Sequence, residues 1–183
     1  HSGSMGGAKW KAADWAVNSF LSTLNDRDYF ALGLFHNTTT WFKKHLVPAT
    51  ESNVHAATRY LDENRDSGGT NLGVALEQAL GLGRKTAQGS TARHVLVVTD
   101  AQVSDEARLF RLADAESQRD DRRRINVICI DAAPNSFLAN ELAERGGGVA
   151  YFVTSDPQEE DVTTALEGIL ADWAEPTLVH LRL

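Results

Sequence analysis

The chain of 183 residues contains a single cysteine, so no disulfide can form within it. Cys129 lies in the apolar run Ile125–Ile130, which indicates a small buried thiol. Because an oxidising compartment permits disulfides without requiring them, this scarcity leaves the location open. No apolar run approaches the roughly 20 residues that a helix needs to cross a bilayer, so we expect no direct membrane insertion. The sequence starts with neither methionine nor a signal peptide, and we expect it to be part of a larger polypeptide.

The chain also lacks an excess of positive charge. Its formal net charge is -7, which argues against nucleic acid or an anionic membrane as a general partner. The basic run Arg122–Arg124 follows Asp120 and Asp121, and this mixture of signs favours a solvated helix end over a nucleic-acid patch.

The residues that are present, 42% apolar and 23% charged, are typical of one globular domain. Apolar spacing and turn residues predict alternating elements: a helix from Trp10 to Leu24, a hairpin of strands 29–35 and 38–44, a helix capped by Thr50, a helix after Asn71, strand 94–99, helix 104–122, strand 125–131, helix 135–145, strand 149–154, and a last helix that Pro176 ends. This order predicts an α/β fold: a doubly wound, mostly parallel central sheet with one antiparallel edge strand and helices on both faces. The domain would span residues 1–175, and residues 176–183 would form an exit strand or begin a following segment.

Three polar groups are predicted to lie beyond the carboxyl ends of strands, where open parallel sheets bind ligands. Ser2 and Ser4 precede the first helix, Thr70 opens another helix, and Asp100 ends a central strand. Hydroxyl and carboxylate oxygens suit Mg²⁺ with water completing its shell. So few charges would bind the ion weakly and leave one position for an acidic side chain of a partner. Alternatively, the three hydroxyls simply cap their helices, a role that serine and threonine fill well.

These motifs resemble those of a known family. The SGSM, GGTN and TD segments are similar to the three loops of the metal-ion-dependent adhesion site in von Willebrand factor A domains, and DRDYFALGLF and LVPAT resemble inter-α-trypsin-inhibitor heavy chains. The resemblance implies a Rossmann-like fold that binds proteins and is not an enzyme. It implies that Ser2, Ser4 and Thr70 coordinate Mg²⁺ (or Mn²⁺ or Ca²⁺) directly, and that Asp100 does so directly or through water. It also favours a secreted or cell-envelope location.

The sequence departs from the family pattern at two places. The family motif is D-x-S-x-S, and this chain starts at the second position of that motif, His1. We therefore expect an upstream aspartate and an upstream apolar strand in the middle of the sheet, whose loss would leave unpaired backbone groups and an open core. The second departure is Ala101, where the family usually has glycine.

Two alternative functions remain open. A metal-independent scaffold of the same fold, such as a partner of AAA-type ATPases, would need none of the ligands. A serine hydrolase would use Ser4, since SGSMG is one residue from the G-x-S-x-G motif. However, His94 and Asp100 flank a six-residue strand and would lie about 20 Å apart, too far for one triad. The remaining histidines show no metal-ligand spacing, and no Walker motif is present.

Overall fold

A computed structural model describes residues 8–64, 71–85, 93–101, 103, 105–131, 136–154 and 161–174. The helices are α1 (Ala8–Thr23), α2 (Glu51–Glu63), α3 (Leu72–Gly81), α4 (Glu106–Ser117), α5 (Ser136–Arg145) and α6 (Asp161–Ala174). The strands are β1 (Tyr29–Phe30), β2 (Gly33–Phe35), β3 (Thr39–Trp41), β4 (Val47–Pro48), β5 (His94–Thr99), β6 (Arg124–Ile130) and β7 (Gly147–Val153). The predicted segment 176–183 lies outside the described residues. None of the helices in the described ranges is both long and apolar enough to cross a membrane.

Three parallel strands in the order β5-β6-β7 form the central sheet. The continuous apolar runs of β5 and β6 predict this arrangement, because strands covered on both faces need no polar side chains. Strand β6 lies in the middle and is buried from Ile125 to Ile130. Four of the six side chains of β5 are only half-buried, although the sequence of β5, HVLVVT, is about as apolar as that of β6.

Helices cover both faces of this sheet, which confirms the doubly wound prediction. On one face, Ile125, Val127 and Cys129 join a core cluster with residues of α3, α4 and α5. On the other face, Ile128 and Ile130 join a cluster with residues of α1 and α6. The alternation along β6 follows from the twofold period of a strand, which turns successive side chains to opposite faces.

The hairpin before α2 is confirmed, but its first strand is interrupted. Strand β2 pairs antiparallel with β3, whereas β1 pairs antiparallel with β4, a two-residue strand that the sequence analysis did not predict. The change of partner divides the predicted strand 29–35 into two pieces. A Cβ at Gly33 would lie 2.8 Å from the indole of Trp41, so glycine allows this ring to cover the strand.

The start of α2 agrees with its predicted cap, whereas α4 ends earlier than predicted. Thr50 caps α2 as predicted, because its hydroxyl accepts a hydrogen bond from the Asn53 N–H at 3.3 Å. Helix α4 ends at Ser117, five residues before its predicted end. There the buried carboxylate of Glu116 accepts a hydrogen bond from the backbone N–H of Arg123 at 2.7 Å, which holds the chain in a turn towards β6.

The interpretation of Arg122–Arg124 as a solvated helix end is wrong for Arg123. Arg122 is exposed, but only 3% of Arg123 is accessible to solvent. Its guanidinium donates hydrogen bonds to the carbonyls of Ala79, Leu82 and Gly83 at 2.7–3.2 Å. These carbonyls lie at and just after the end of α3, where helical carbonyls lack intrahelical partners, and Arg123, the residue before β6, satisfies them.

Candidate functional site

The carboxyl ends of β5 and β6 place two acidic residues at the same edge of the sheet. Asp100 directly follows β5, and Asp131 directly follows β6. Asp100 is 1% exposed, whereas Asp131 is partly exposed. Since ligands of open parallel sheets bind beyond this edge, the two carboxylates mark the candidate site.

The backbone at this edge is strained at two positions. Ala101 has φ of 55° and Asp131 has φ of 54°, and these are the two non-glycine residues with positive φ in the described chain. Such a conformation costs an L-residue about 1 kcal/mol or more and tends to occur at functional sites. Glycine, which the family resemblance leads us to expect at this position, would adopt this conformation without strain.

A lysine of α1 approaches the buried aspartate. The Nζ atom of Lys9 lies 3.6 Å from Oδ2 of Asp100. The lysine side chain is 21% exposed, whereas the aspartate side chain is 0% exposed. This ion pair joins the start of α1 to the end of β5.

The structure places one of the four predicted ligands. Asp100 lies at the predicted strand end, whereas Ser2, Ser4 and Thr70 lie outside the described residues. Asn71, which follows Thr70, donates its backbone N–H to the His36 carbonyl at 2.9 Å and holds the start of α3 against the hairpin. Asn71 occupies the cap position of α3 with no side-chain cap hydrogen bond to a described residue.

The donor chemistry of Asp100 fits a hard divalent cation, but Asp100 is insufficient alone. In the described ranges, no group of three or more histidine, cysteine, aspartate or glutamate side chains could hold a metal ion. A carboxylate at this edge could contribute one oxygen, and the hydroxyls of Ser2, Ser4 and Thr70 are hard donors of the same class. A cation here would therefore need most of its protein ligands from outside the described residues.

The cysteine beneath this edge is a buried thiol with a raised pKa. Burial raises the pKa of the Cys129 thiol to about 11, and the charge of Asp100 acts in the same direction. Cys129 is in register with Thr99, the residue before Asp100. The thiol is therefore protonated at neutral pH, which confirms the prediction of a small buried apolar group.

A groove of about 480 Å³ runs along the edge of β5 that faces away from β6. Its walls come from α1, the β1–β2 segment, α3, β5 and α6, and most of its lining is apolar, including Val17, Leu34, Leu72, Leu76, Val95 and Val97. Within the described part of the chain, β5 pairs with β6 alone. The backbone on its other edge therefore borders this groove, and the half-buried side chains of β5 line it.

The residues of the hydrolase alternative are not brought together in the described structure. His94 begins β5 and Asp100 follows its other end. The His94 ring instead stacks on Trp173 of α6, with ring centroids 4.2 Å apart. Ser4 lies outside the described residues. The strand geometry therefore agrees with the expected separation of these two groups.

Sequence reasoning missed Lys9 and Asp131. A signal was available for Asp131, because it ends an apolar strand in the same way as Asp100. Lys9 stands five residues after Ser4, near the start of a predicted helix, but nothing in the sequence shows that its side chain reaches β5.

Comparison with known proteins agrees with this geometry. The family profile of the von Willebrand factor type A domain matches residues 1–152. Inter-alpha-trypsin inhibitor heavy chain H4 from Bos taurus is 38% identical over 192 residues, covering 98% of this chain and 20% of that protein. Heavy chain H2 from Mesocricetus auratus is 40% identical over 80 residues, covering 43% of this chain and 8% of that protein. The chain thus spans less than a quarter of these curated relatives.

A solved von Willebrand factor type A structure from Catenulispora acidiphila has the same fold, with a TM-score of 0.77 at 22% identity over 92% of this chain and 39% of that one. The parallel sheet with helices on both faces, the acidic carboxyl edge and the sequence matches agree with one another. The chain belongs to the von Willebrand factor type A family and lies close to the inter-α-trypsin-inhibitor heavy-chain group.

Proposed function

We propose that the chain is a metal-dependent protein-binding module whose cation is held by Ser2, Ser4, Thr70 and Asp100. The observation that carries the proposal is the position of Asp100, a buried carboxylate at the carboxyl edge of the parallel sheet. Burial of a carboxylate is unfavourable unless a cation or hydrogen bonds compensate it, so such a group is seldom kept without a role. The family supports an interaction module and no catalytic step.

In this proposal the bound Mg²⁺, or Mn²⁺ or Ca²⁺, supplies an open coordination position to an acidic side chain of a protein partner. Asp100 would contribute negative charge directly or through water, and the three hydroxyls would contribute neutral oxygens. We further propose that the module is part of a larger polypeptide, in a secreted or cell-envelope setting.

Calorimetry and thermal unfolding of the chain extended by about ten preceding residues, with Mg²⁺ or with EDTA, test this proposal. Mg²⁺ should raise the melting temperature of the wild type, because a ligand that binds the native state stabilises it. Asp100→Ala should lose this shift and yet remain folded in EDTA, whereas Asp26→Ala, which removes an exposed carboxylate, should keep it. Identical melting curves in Mg²⁺ and EDTA, with no heat of binding, would overturn the proposal.

We propose that an extended apolar segment preceding His1 fills the groove beside β5. The groove has the composition of a core, follows the six residues of β5, and borders a strand edge that is otherwise unpaired in the described chain. A parallel strand there would end beside Asp100, which Lys9 of α1 also contacts. Its length would be about six residues, a typical strand.

The test compares residues 1–183 with the same chain extended by about ten preceding residues. The shorter chain should aggregate or exchange strands, because it exposes strand edge and apolar surface. The longer chain should be monomeric and melt cooperatively. A monomeric, cooperatively melting protein from residues 1–183 would contradict this proposal.

A second function is supported by the ion pair between Lys9 and Asp100. Because Lys9 supplies positive charge without a metal, the same fold could act as a metal-independent scaffold for assembly. Partner capture that persists in EDTA and in Asp100→Ala would favour this second function.

A further inference from the structure

The buried aspartate and the lysine beside it differ in their access to water. The Asp100 side chain is 0% exposed, whereas 21% of the Lys9 side chain is exposed. A buried carboxylate therefore needs positive charge nearby, but the ammonium group can turn towards solvent on its flexible four-carbon stem. In this pair the Asp100 carboxylate stays buried, whereas the Lys9 ammonium group can move into solvent.

The charges of Lys9 and Asp100 also act on the pKa of a third residue, Cys129. Apart from burial, the charge of Asp100 raises the pKa of Cys129 and the charge of Lys9 lowers it. The charge of Asp131 acts in the same direction as Asp100. Lys9, Asp100 and Asp131 therefore all lie close enough to Cys129 for their charges to act on it, and a divalent cation would be attracted to the same two carboxylates.

We propose that the Lys9 ammonium group is the built-in counter-ion of Asp100 in the metal-free protein and that an incoming divalent cation displaces it. This inference rests on the proposed function, because it assigns a competitor to the same site. Lys9 is then a positioning residue: it balances the charge of Asp100 until the cation arrives, and it lowers the affinity for that cation.

The affinity for Mg²⁺ tests the competition. Lys9→Met removes the ammonium but keeps a long apolar stem, so it should bind Mg²⁺ about tenfold more tightly by calorimetry, as expected when a nearby like charge is removed. Lys9→Arg keeps the charge and should bind like the wild type. Lys11→Met is the matched control, because it makes the same change at an exposed position of the same helix, and its affinity should not change.

Thermal unfolding in EDTA tests the counter-ion role without any metal. Lys9→Met should lower the melting temperature by leaving Asp100 without this charge, and Lys11→Met should not. In an Asp100→Asn background, Lys9→Met should have little effect, because a double-mutant cycle isolates the pairwise interaction. A Lys9→Met protein that folds only with Mg²⁺ present would support the proposal equally, since the cation would then replace the missing charge.

The outcomes separate this inference from the proposed function. If the wild type binds Mg²⁺ and Lys9→Met binds it equally or more weakly, displacement is wrong and the function stands. If neither protein binds Mg²⁺, the proposed function fails and displacement fails with it. Additive effects of Lys9→Met and Asp100→Asn in EDTA would overturn the counter-ion role itself.

Discussion

The two ends of the parallel sheet both contain a buried carboxylate, but the groups that balance its charge differ. At the amino end, the carboxylate of Glu116 accepts a hydrogen bond from Arg84 at 2.8 Å and one from the Arg123 N–H at 2.7 Å. At the carboxyl end, Lys9 lies 3.6 Å from Asp100, beyond hydrogen-bond distance. The amino end is therefore a hydrogen-bonded network, whereas the Lys9–Asp100 pair at the carboxyl end has no direct hydrogen bond between its two charged groups.

The backbone shows the same difference. Both non-glycine residues with positive φ in the described chain follow strands at the carboxyl end, while Arg123 at the amino end satisfies three carbonyls of the α3 terminus and the turn after it. Backbone strain lowers stability, and it tends to occur at functional sites. The comparison indicates that the amino end stabilises the fold, and the strained carboxyl end agrees with the binding role proposed for it.

The largest expected effect comes from breaking the amino-end network. Glu116→Ala leaves the partly buried Arg84 guanidinium and the buried Arg123 N–H without their shared acceptor, and it should lower the free energy of unfolding by about 3 kcal/mol. Urea unfolding measures this loss. Glu141→Ala, which removes a more exposed ion pair with Arg145, is the control and should cost under about 1 kcal/mol. Equal losses would show that the amino end is no more structural than the surface.

The pH dependence of stability should come from the same carboxylate. Burial acts to raise the pKa of Glu116, but the hydrogen bonds from Arg84 and Arg123 and the charges of Arg84 and Arg119 bring it below its ordinary value of 4.5. Because the folded pKa is the lower one, the stabilisation is complete above the unfolded pKa and disappears as the pH falls through the folded pKa.

Glu116→Gln removes the ionisation but keeps an oxygen that can accept from Arg123. Its free energy of unfolding should therefore vary less than that of the wild type between about pH 6 and about pH 3, and the two proteins should converge at the acid end. Urea unfolding at a series of pH values provides the measurement. A difference between wild type and variant that stays constant across this range would exclude Glu116 as the source.

The sequence predicts the fold well because its signals are local and repeated. The apolar runs at 94–99 and 125–130 and the cap at Thr50 are read from neighbouring residues, and the structure confirms them. The division of strand 29–35 is not local, because it depends on two different partners in β3 and β4. Arg123 was misread for the same reason: its carbonyl partners lie about 40 residues earlier in the chain.

The candidate site was predictable at the level of strand ends. Asp100 follows from the rule that parallel sheets bind ligands at their carboxyl edge, and the structure places it there. The approach of Lys9 to Asp100 bridges 91 positions of sequence, and no periodicity encodes such a contact. The roles of Ser2, Ser4 and Thr70 stay predictions.

The smallest expected effect tests the strain at the carboxyl end. Ala101 is buried in the core cluster and has φ of 55°. Ala101→Gly relieves backbone strain of about 1 kcal/mol and loses a buried methyl group worth about 0.8 kcal/mol, so the free energy of unfolding should change by less than about 0.5 kcal/mol.

Ala113→Gly is the matched control, because Ala113 belongs to the same cluster but lies inside α4. There the methyl group and helix propensity are both lost, and the expected cost is about 2 kcal/mol. Urea unfolding in EDTA compares the two variants, and an equal cost at both positions would mean that the carboxyl edge carries no strain at Ala101.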